Sequence, residues 1–294
     1  MAKAAASKKI KPARQAQAQA VEIKGSQTPQ DRREVLRATL KPASIPNISP
    51  EELDAHFQGM PAHYWDQTTP DELAWGLETV HSFFKLVTES DCPATRPALN
   101  FRPQPGTKLT RVVFCTWDRH GLLAKAAAAF SAVGLNILQA ELFTRQDNLV
   151  LDFFTVADVP TGGTASEAKL KEFLFLLEGS LSEPPRFASL WLTSRHKFIL
   201  PPTQSAPAIS FDNQFSSTAT LVRLEAADRL GLLCDLFEGL AQAGLDITEA
   251  HIETINGQAR DVVLVKTAQG QKVTNPRDLM DLEQKLIAAL AINS

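Results

Sequence analysis

The spacing of apolar positions changes several times along the chain, and the changes repeat. Leu122, Leu123, Ala126, Ala127, Phe130 and Val133 recur at helical spacing, and Leu232, Leu233, Leu236, Phe237, Leu240 and Ala243 recur in the same way further on. Gly134 and Gly244 follow as C-terminal caps. β-rich runs precede each helix, at 111–116 and 220–225. Paired β-rich runs follow, 137–144 with 149–156 and 247–254 with 259–265, and these pairs predict hairpins. Their turns, Gln146-Asp147-Asn148 and Asn256-Gly257, hold residues that tolerate positive φ. A second amphipathic helix then closes each set, with Leu170, Phe173 and Leu177 answered by Leu279, Leu282 and Leu286.

One unit is therefore present twice. Asp118-Arg119-His120-Gly121-Leu122-Leu123 reappears 110 residues later as Asp228-Arg229-Leu230-Gly231-Leu232-Leu233, and Gly134-Leu135-Asn136-Ile137 reappears as Gly244-Leu245-Asp246-Ile247. The second hairpin turn is one residue shorter, so the spacing beyond it becomes 109. Leu99-Asn100-Phe101 matches Ile209-Ser210-Phe211 and adds a strand in front of each unit. The expected fold class is α+β: two ferredoxin-like (βαββαβ-type) sandwiches, each with its helices on one face of a four-stranded sheet. The leading strand is one candidate for the edge position, and the β-rich run 187–193 is another. The expected division is a disordered tail over 1–45, a helical segment over 46–95, units at 96–200 and 208–294, and a Pro-rich linker at 201–207.

In the helical segment, Ser49 with Glu52 and Thr69 with Glu72 have capping-box spacing, and Pro50 and Pro70 sit where a helix begins. Two short helices are expected there, packed beneath the first unit through Leu53, Phe57, Trp75, Leu77, Phe83 and Phe84. Trp75, Trp117 and Trp191 read as packing anchors. Glu249, His251 and Glu253 alternate with Ala250 and Ile252 along one strand, as on a solvated sheet face or an interface.

Composition narrows the function. A net charge of −3 and a pI near 6.1 give no basic surplus for nucleic acid. No run approaches a membrane span and no secretory signal is present, so a soluble, cytoplasmic protein is expected. Three separated cysteines, Cys92, Cys115 and Cys234, fit free thiols in a reducing compartment. No His-Asp dipeptide, D-x-D, phosphate-cradling loop or metal-ligand spacing occurs, so neither catalysis, a metal nor a cofactor is expected.

The order of a strand, D-R-x-G-L-L, a helix, G-L-[ND]-I and a strand ending in Thr resembles the ACT domain of amino-acid-regulated proteins. Ile209-Ser210-Phe211-Asp212-Asn213, Ala250-His251-Ile252-Glu253-Thr254 and Arg260-Asp261-Val262-Val263 are similar to the second ACT unit at the regulatory C-terminal end of bacterial PII uridylyltransferases. That resemblance implies an amino acid, glutamine foremost, bound where two units meet, and a homodimer or protein partner engaged through the ACT sheets. The corresponding residues are Asp118, Arg119, His120, Gly121, Leu122, Asn136 and Ile137 in one unit, and Asp228, Arg229, Leu230, Gly231, Leu232, Asp246 and Ile247 in the other. The glycine turns would present helix-end amides to a carboxylate, and the aspartates would hold an amino group. The family's usual turn has proline where this chain has His120 and Leu230.

Overall fold

A computed structural model describes residues 28–40, 45, 47–89, 96–182, 189–198 and 206–291. The helices α1 (Pro29–Thr39), α2 (Pro50–Gly59), α3 (Ala62–Gln67) and α4 (Pro70–Glu89) precede the first unit. That unit comprises β1 (Ala98–Pro103), β2 (Thr110–Trp117), α5 (Leu122–Ala132), β3 (Leu135–Glu141), β4 (Leu149–Asp158) and α6 (Glu167–Ser182). After a short helix α7 (Ser189–Ser194), the second unit repeats the order with β5 (Ala208–Asp212), β6 (Thr220–Ala227), α8 (Leu232–Gln242), β7 (Leu245–Ile255), β8 (Gln258–Thr267) and α9 (Pro276–Ala291).

The strands form one eight-stranded sheet in the order β1-β2-β4-β3-β7-β8-β6-β5. Each leading strand takes the edge, β1 antiparallel to β2 and β5 antiparallel to β6. The competing run does not fill that position. Residues 189–194 are helical, because Trp191 is drawn entirely into the core and this burial overrides the strand propensity of its neighbours. Residues 187–188 lie outside the described part, as does most of the expected linker.

The two units join at β3 and β7, where Gln139 faces Glu253, Ala140 faces Ile252 and Glu141 faces His251. The alternating acidic and histidine row thus ends at an interface between units. Each central hairpin carries an irregularity at the same place, between Ile137 and Gln139 and between Ile247 and Glu249.

Helices α5, α6, α8 and α9 cover one face over a continuous apolar core. Among the described residues the other face is covered only over the first unit, where Val113, Cys115, Leu151 and Phe153 pack against Phe57, Trp65, Leu73, Trp75 and Phe83. Both expected capping boxes form, Ser49 with Glu52 and Thr69 with Glu72. Two departures from expectation follow from packing. The helix after Thr69 is 20 residues long rather than short, because its apolar face runs the length of the covered sheet. Helix α1 lies in a stretch expected to be disordered. It has its own capping box (Thr28 with Asp31) and buries Leu36, and Arg32 donates from Nε to the Trp65 carbonyl at 3.0 Å. Residues 1–27 lie outside the described part. Within this helical layer His56 is fully buried 3.1 Å from the Tyr64 hydroxyl; burial first, and then Arg145, drive its pKa down to about 3, so it packs as a neutral ring.

Candidate functional site

At the end of β2 the chain leaves the sheet, turns at a glycine and enters α5. The Asp118 amide donates to the Asn148 carbonyl at 2.8 Å, tying the turn to the neighbouring hairpin. The Asp228 amide does the same to Gly257 at 2.9 Å in the second unit. Gly121 and Gly231 are the helix N-caps with φ of 73° and 82°, a left-handed conformation that glycine adopts without a side-chain penalty. No side chain caps either helix, so Asp118 and Asp228 are not capping residues. Other amides of each turn are also used: Leu122 donates to Arg119, and Leu232 to Arg229, both at 3.1 Å, and the Arg119 and Arg229 amides donate to the Asp118 and Asp228 carboxylates.

The side-by-side sheets bring each turn against the other unit. Around the first turn lies a cavity of about 450 Å³. One wall is the Asp118–Ala124 segment. The opposite wall is the start of β7, including Asp246 and Ile247, with Phe237 and Ala241 of α8 behind it. Leu142, Val150 and Asp152 form the floor. At the rim His120 Nδ1 pairs with the Asp246 carboxylate across the two units, both side chains being more than 40% exposed. The volume is within the range that holds small organic ligands.

The second turn has the reciprocal arrangement but a filled interior. Asn136 Nδ2 donates to Asp228 Oδ2 at 3.0 Å, and the Thr254 hydroxyl donates to the same oxygen at 3.1 Å. The Trp191 indole lies so close to Gly231 that a Cβ placed there would be 2.2 Å from the ring. Trp191 is fully buried and stacks on Phe198, and Leu230 is buried where its counterpart His120 is exposed. The structure thus gathers Asp118, Arg119, His120, Gly121, Leu122, Asp246 and Ile247 around an open space, and places Asp228, Leu230, Gly231, Leu232 and Asn136 at a closed one, with Ile137 in the apolar core.

Both arginines bind the ends of the closing helices. Arg119 reaches the Leu181 carbonyl at 3.3 Å from its place on the cavity wall, and buried Arg229 reaches the Leu290 carbonyl at 3.0 Å while paired with Asp235 at 2.6 Å. Leu181 and Leu290 are 109 residues apart, so both copies use the arginine to satisfy a helix C-terminus.

Asp152, which lines the cavity, and its counterpart Asp261 are among the residues that the sequence did not mark as binding residues. Asp152 accepts the Phe143 amide at 3.0 Å and Asp261 accepts the Glu253 amide at 3.3 Å, at the same point of each hairpin. Burial pushes both carboxyls up, helped by the neighbouring aspartate of the turn; Asp261 reaches about 7, and Asp152 is held well above the carboxylate range. Asp118 and Asp228 are also raised by burial. An acid standing in an apolar strand at the same place in both repeats was the available signal. Among the described residues no cluster of histidine, cysteine or acidic side chains could hold a metal. Cys115 and Cys234 are free and buried, and burial raises both thiols, so neither is a ready nucleophile. Cys92 lies outside the described residues. No helix among the described residues is long and apolar enough to cross a membrane.

Known proteins match the chain in its repeated part. The family model for an ACR9-like, ACT-like domain matches residues 208–292. A bifunctional uridylyltransferase/uridylyl-removing enzyme of Azospirillum brasilense is 33% identical over 79% of this chain and 24% of its own length. Those of Caulobacter vibrioides (strain NA1000 / CB15N) and Rhodospirillum rubrum are 32% and 28% identical over 77% and 88% of this chain, and 25% and 27% of their own. The chain therefore spans about a quarter of the length of the curated relatives it matches. It carries a duplicated ACT-type unit, and the part of the bifunctional uridylyltransferase/uridylyl-removing enzymes that it matches makes it their relative.

Proposed function

We propose that this chain is a non-catalytic regulatory protein that senses an amino acid in the cavity at the first glycine turn. The observation that carries the reading is the open space between Gly121 of one unit and Asp246 of the other. The uncapped start of α5 offers amides and a positive dipole end to a carboxylate. Asp118 and Asp246 line the same space and suit an ammonium group, and Leu142, Val150 and Phe237 offer apolar surface to a side chain. Glutamine is the first candidate, from the likeness to uridylyltransferases.

A ligand bridging the two units favours their closed pairing by its differential affinity for that arrangement. A route outward is present. Glu141 lies opposite His251 at the junction and accepts from Arg111, and Arg111 also reaches Glu72 in the first turn of α4 at 2.9 Å. Occupancy would thereby reach the N-terminal helices, the surface proposed for a protein partner. Isothermal titration with glutamine and the other amino acids tests the reading. Saturable binding of one molecule per chain is expected. Absence of both heat and thermal shift across the set overturns it and leaves a protein whose ACT sheets only pair.

A further inference from the structure

The second glycine turn has the parts of the first, with Trp191 set against its glycine. Asp118, Thr144 and Asp152 line the open cavity, and their counterparts Asp228, Thr254 and Asp261 surround the closed one. Asn136 stands at the closed turn where Asp246 stands at the open one. The backbone is the same, down to the left-handed glycine and the amide bond to the neighbouring hairpin.

What fills the second turn comes from outside the repeat. Trp191 belongs to α7, which lies between the units, and its ring rests against Gly231 with no exposed surface. A tryptophan placed only for packing would have its indole N–H satisfied, yet Nε1 is buried without a hydrogen-bond partner. Asp261 Oδ2 is likewise buried and unpartnered. Two orphaned polar atoms at one turn mark a pocket whose polar groups were not built around this ring. Asp228, meanwhile, is satisfied by Asn136 and Thr254 rather than by a ligand.

We infer that the second turn is a latent copy of the first site, held shut in cis by Trp191, so that the chain takes one amino acid where its architecture provides for two. This rests on the proposed reading of the first turn. Trp191 occupies the place of a ligand side chain, and its removal opens space beside Asp228, Thr254 and Gly231.

The test is the number of amino-acid sites in Trp191→Gly compared with wild type, titrated with the twenty L-amino acids. Free indole serves as the fold control: it raises the melting temperature of a folded W191G by refilling the emptied pocket and leaves wild type unmoved. One site more than wild type is expected, with that added site weakened about tenfold by Asp228→Asn in the same background. No added site in a folded W191G overturns the inference, as does an added site indifferent to D228N. If W191G does not fold, Trp191→Leu keeps the core apolar while leaving room, and the same count decides. The wild-type titration alone tests the first turn, so a chain that binds nothing until Trp191 is removed would refute the proposed function and uphold the latent site.

Discussion

The two glycine turns share a backbone and differ in what reaches them. Gly121 and Gly231 have φ within ten degrees of each other, and each turn is tied to its hairpin and backed by a buried aspartate. One borders a cavity and the other meets Trp191. The outer faces of the sheet diverge in the same manner. Val113, Cys115 and Leu151 lie under the N-terminal helices, while their counterparts Arg223, Glu225 and Arg260 are half-buried or exposed. Duplication has kept the hydrogen-bonded frame, and the segments outside the repeat decide what each copy does.

The outer faces give the largest predicted effect. Val113→Arg, which writes the second unit's residue into the first, places a charge beneath α4 with no partner. It should cost at least about 4 kcal/mol, read by chemical denaturation. The reciprocal Arg223→Val loses only a half-exposed pair with Asp212 at 3.4 Å and should stay within about 0.5 kcal/mol. Equal effects would mean that the helices do not cover the first face alone.

Alanine at each turn glycine separates left-handed strain from crowding. Gly121→Ala puts a Cβ on a left-handed residue, and that strain should cost about 1–2 kcal/mol of stability. Gly231→Ala adds the clash with Trp191 and should cost roughly 3–4 kcal/mol. Matching losses would argue that Trp191 does not fill the second turn.

Much of the frame was legible in the sequence because its signals are local. Helical periodicity, the glycine caps and the turn residues before Leu149 and Gln258 act over a few residues, and the repeat supplied two readings of each. The junction of the sheets was legible only as a condition, since pairing of β3 with β7 is non-local. Trp191 was recognised as a packing anchor, but what it packs against depends on a contact 40 residues away in sequence. Asp152 and Asp261 were overlooked because single acids in apolar strands carry no periodic signal, although both repeats contain one.

Those acids make the next prediction. Asp261 keeps its proton to about pH 7 when folded, whereas an unfolded aspartate releases it near 3.9. Between those values the folded state binds more protons, so stability falls as pH rises from about 4 to 7 and then levels. Asp152 acts in the same direction, and Glu238, raised by burial to about 8, extends the decline. Asp261→Asn keeps an acceptor for the Glu253 amide without the charge. It should flatten part of the slope and stabilise the protein at pH 8 by about 2 kcal/mol, read from melting curves across pH. An unchanged slope would mean that Asp261 ionises freely.

The smallest pair of effects sharpens the contrast between open and closed turns, because it separates stability from binding. Asn136 and Asp246 occupy equivalent positions and each reaches the other unit. Asn136 satisfies the buried Asp228, so Asn136→Ala leaves that carboxylate short of a donor and should cost about 1 kcal/mol without touching amino-acid affinity. Asp246 pairs with His120 at a wet rim where an exposed polar contact contributes little, so Asp246→Ala should leave the melting temperature within about a degree. It faces the cavity, however, and removing a charge that holds an ammonium group should weaken amino-acid binding about tenfold. If titration found the loss of affinity in the asparagine variant and the loss of stability in the aspartate variant, the assignment of open and closed turns would be reversed.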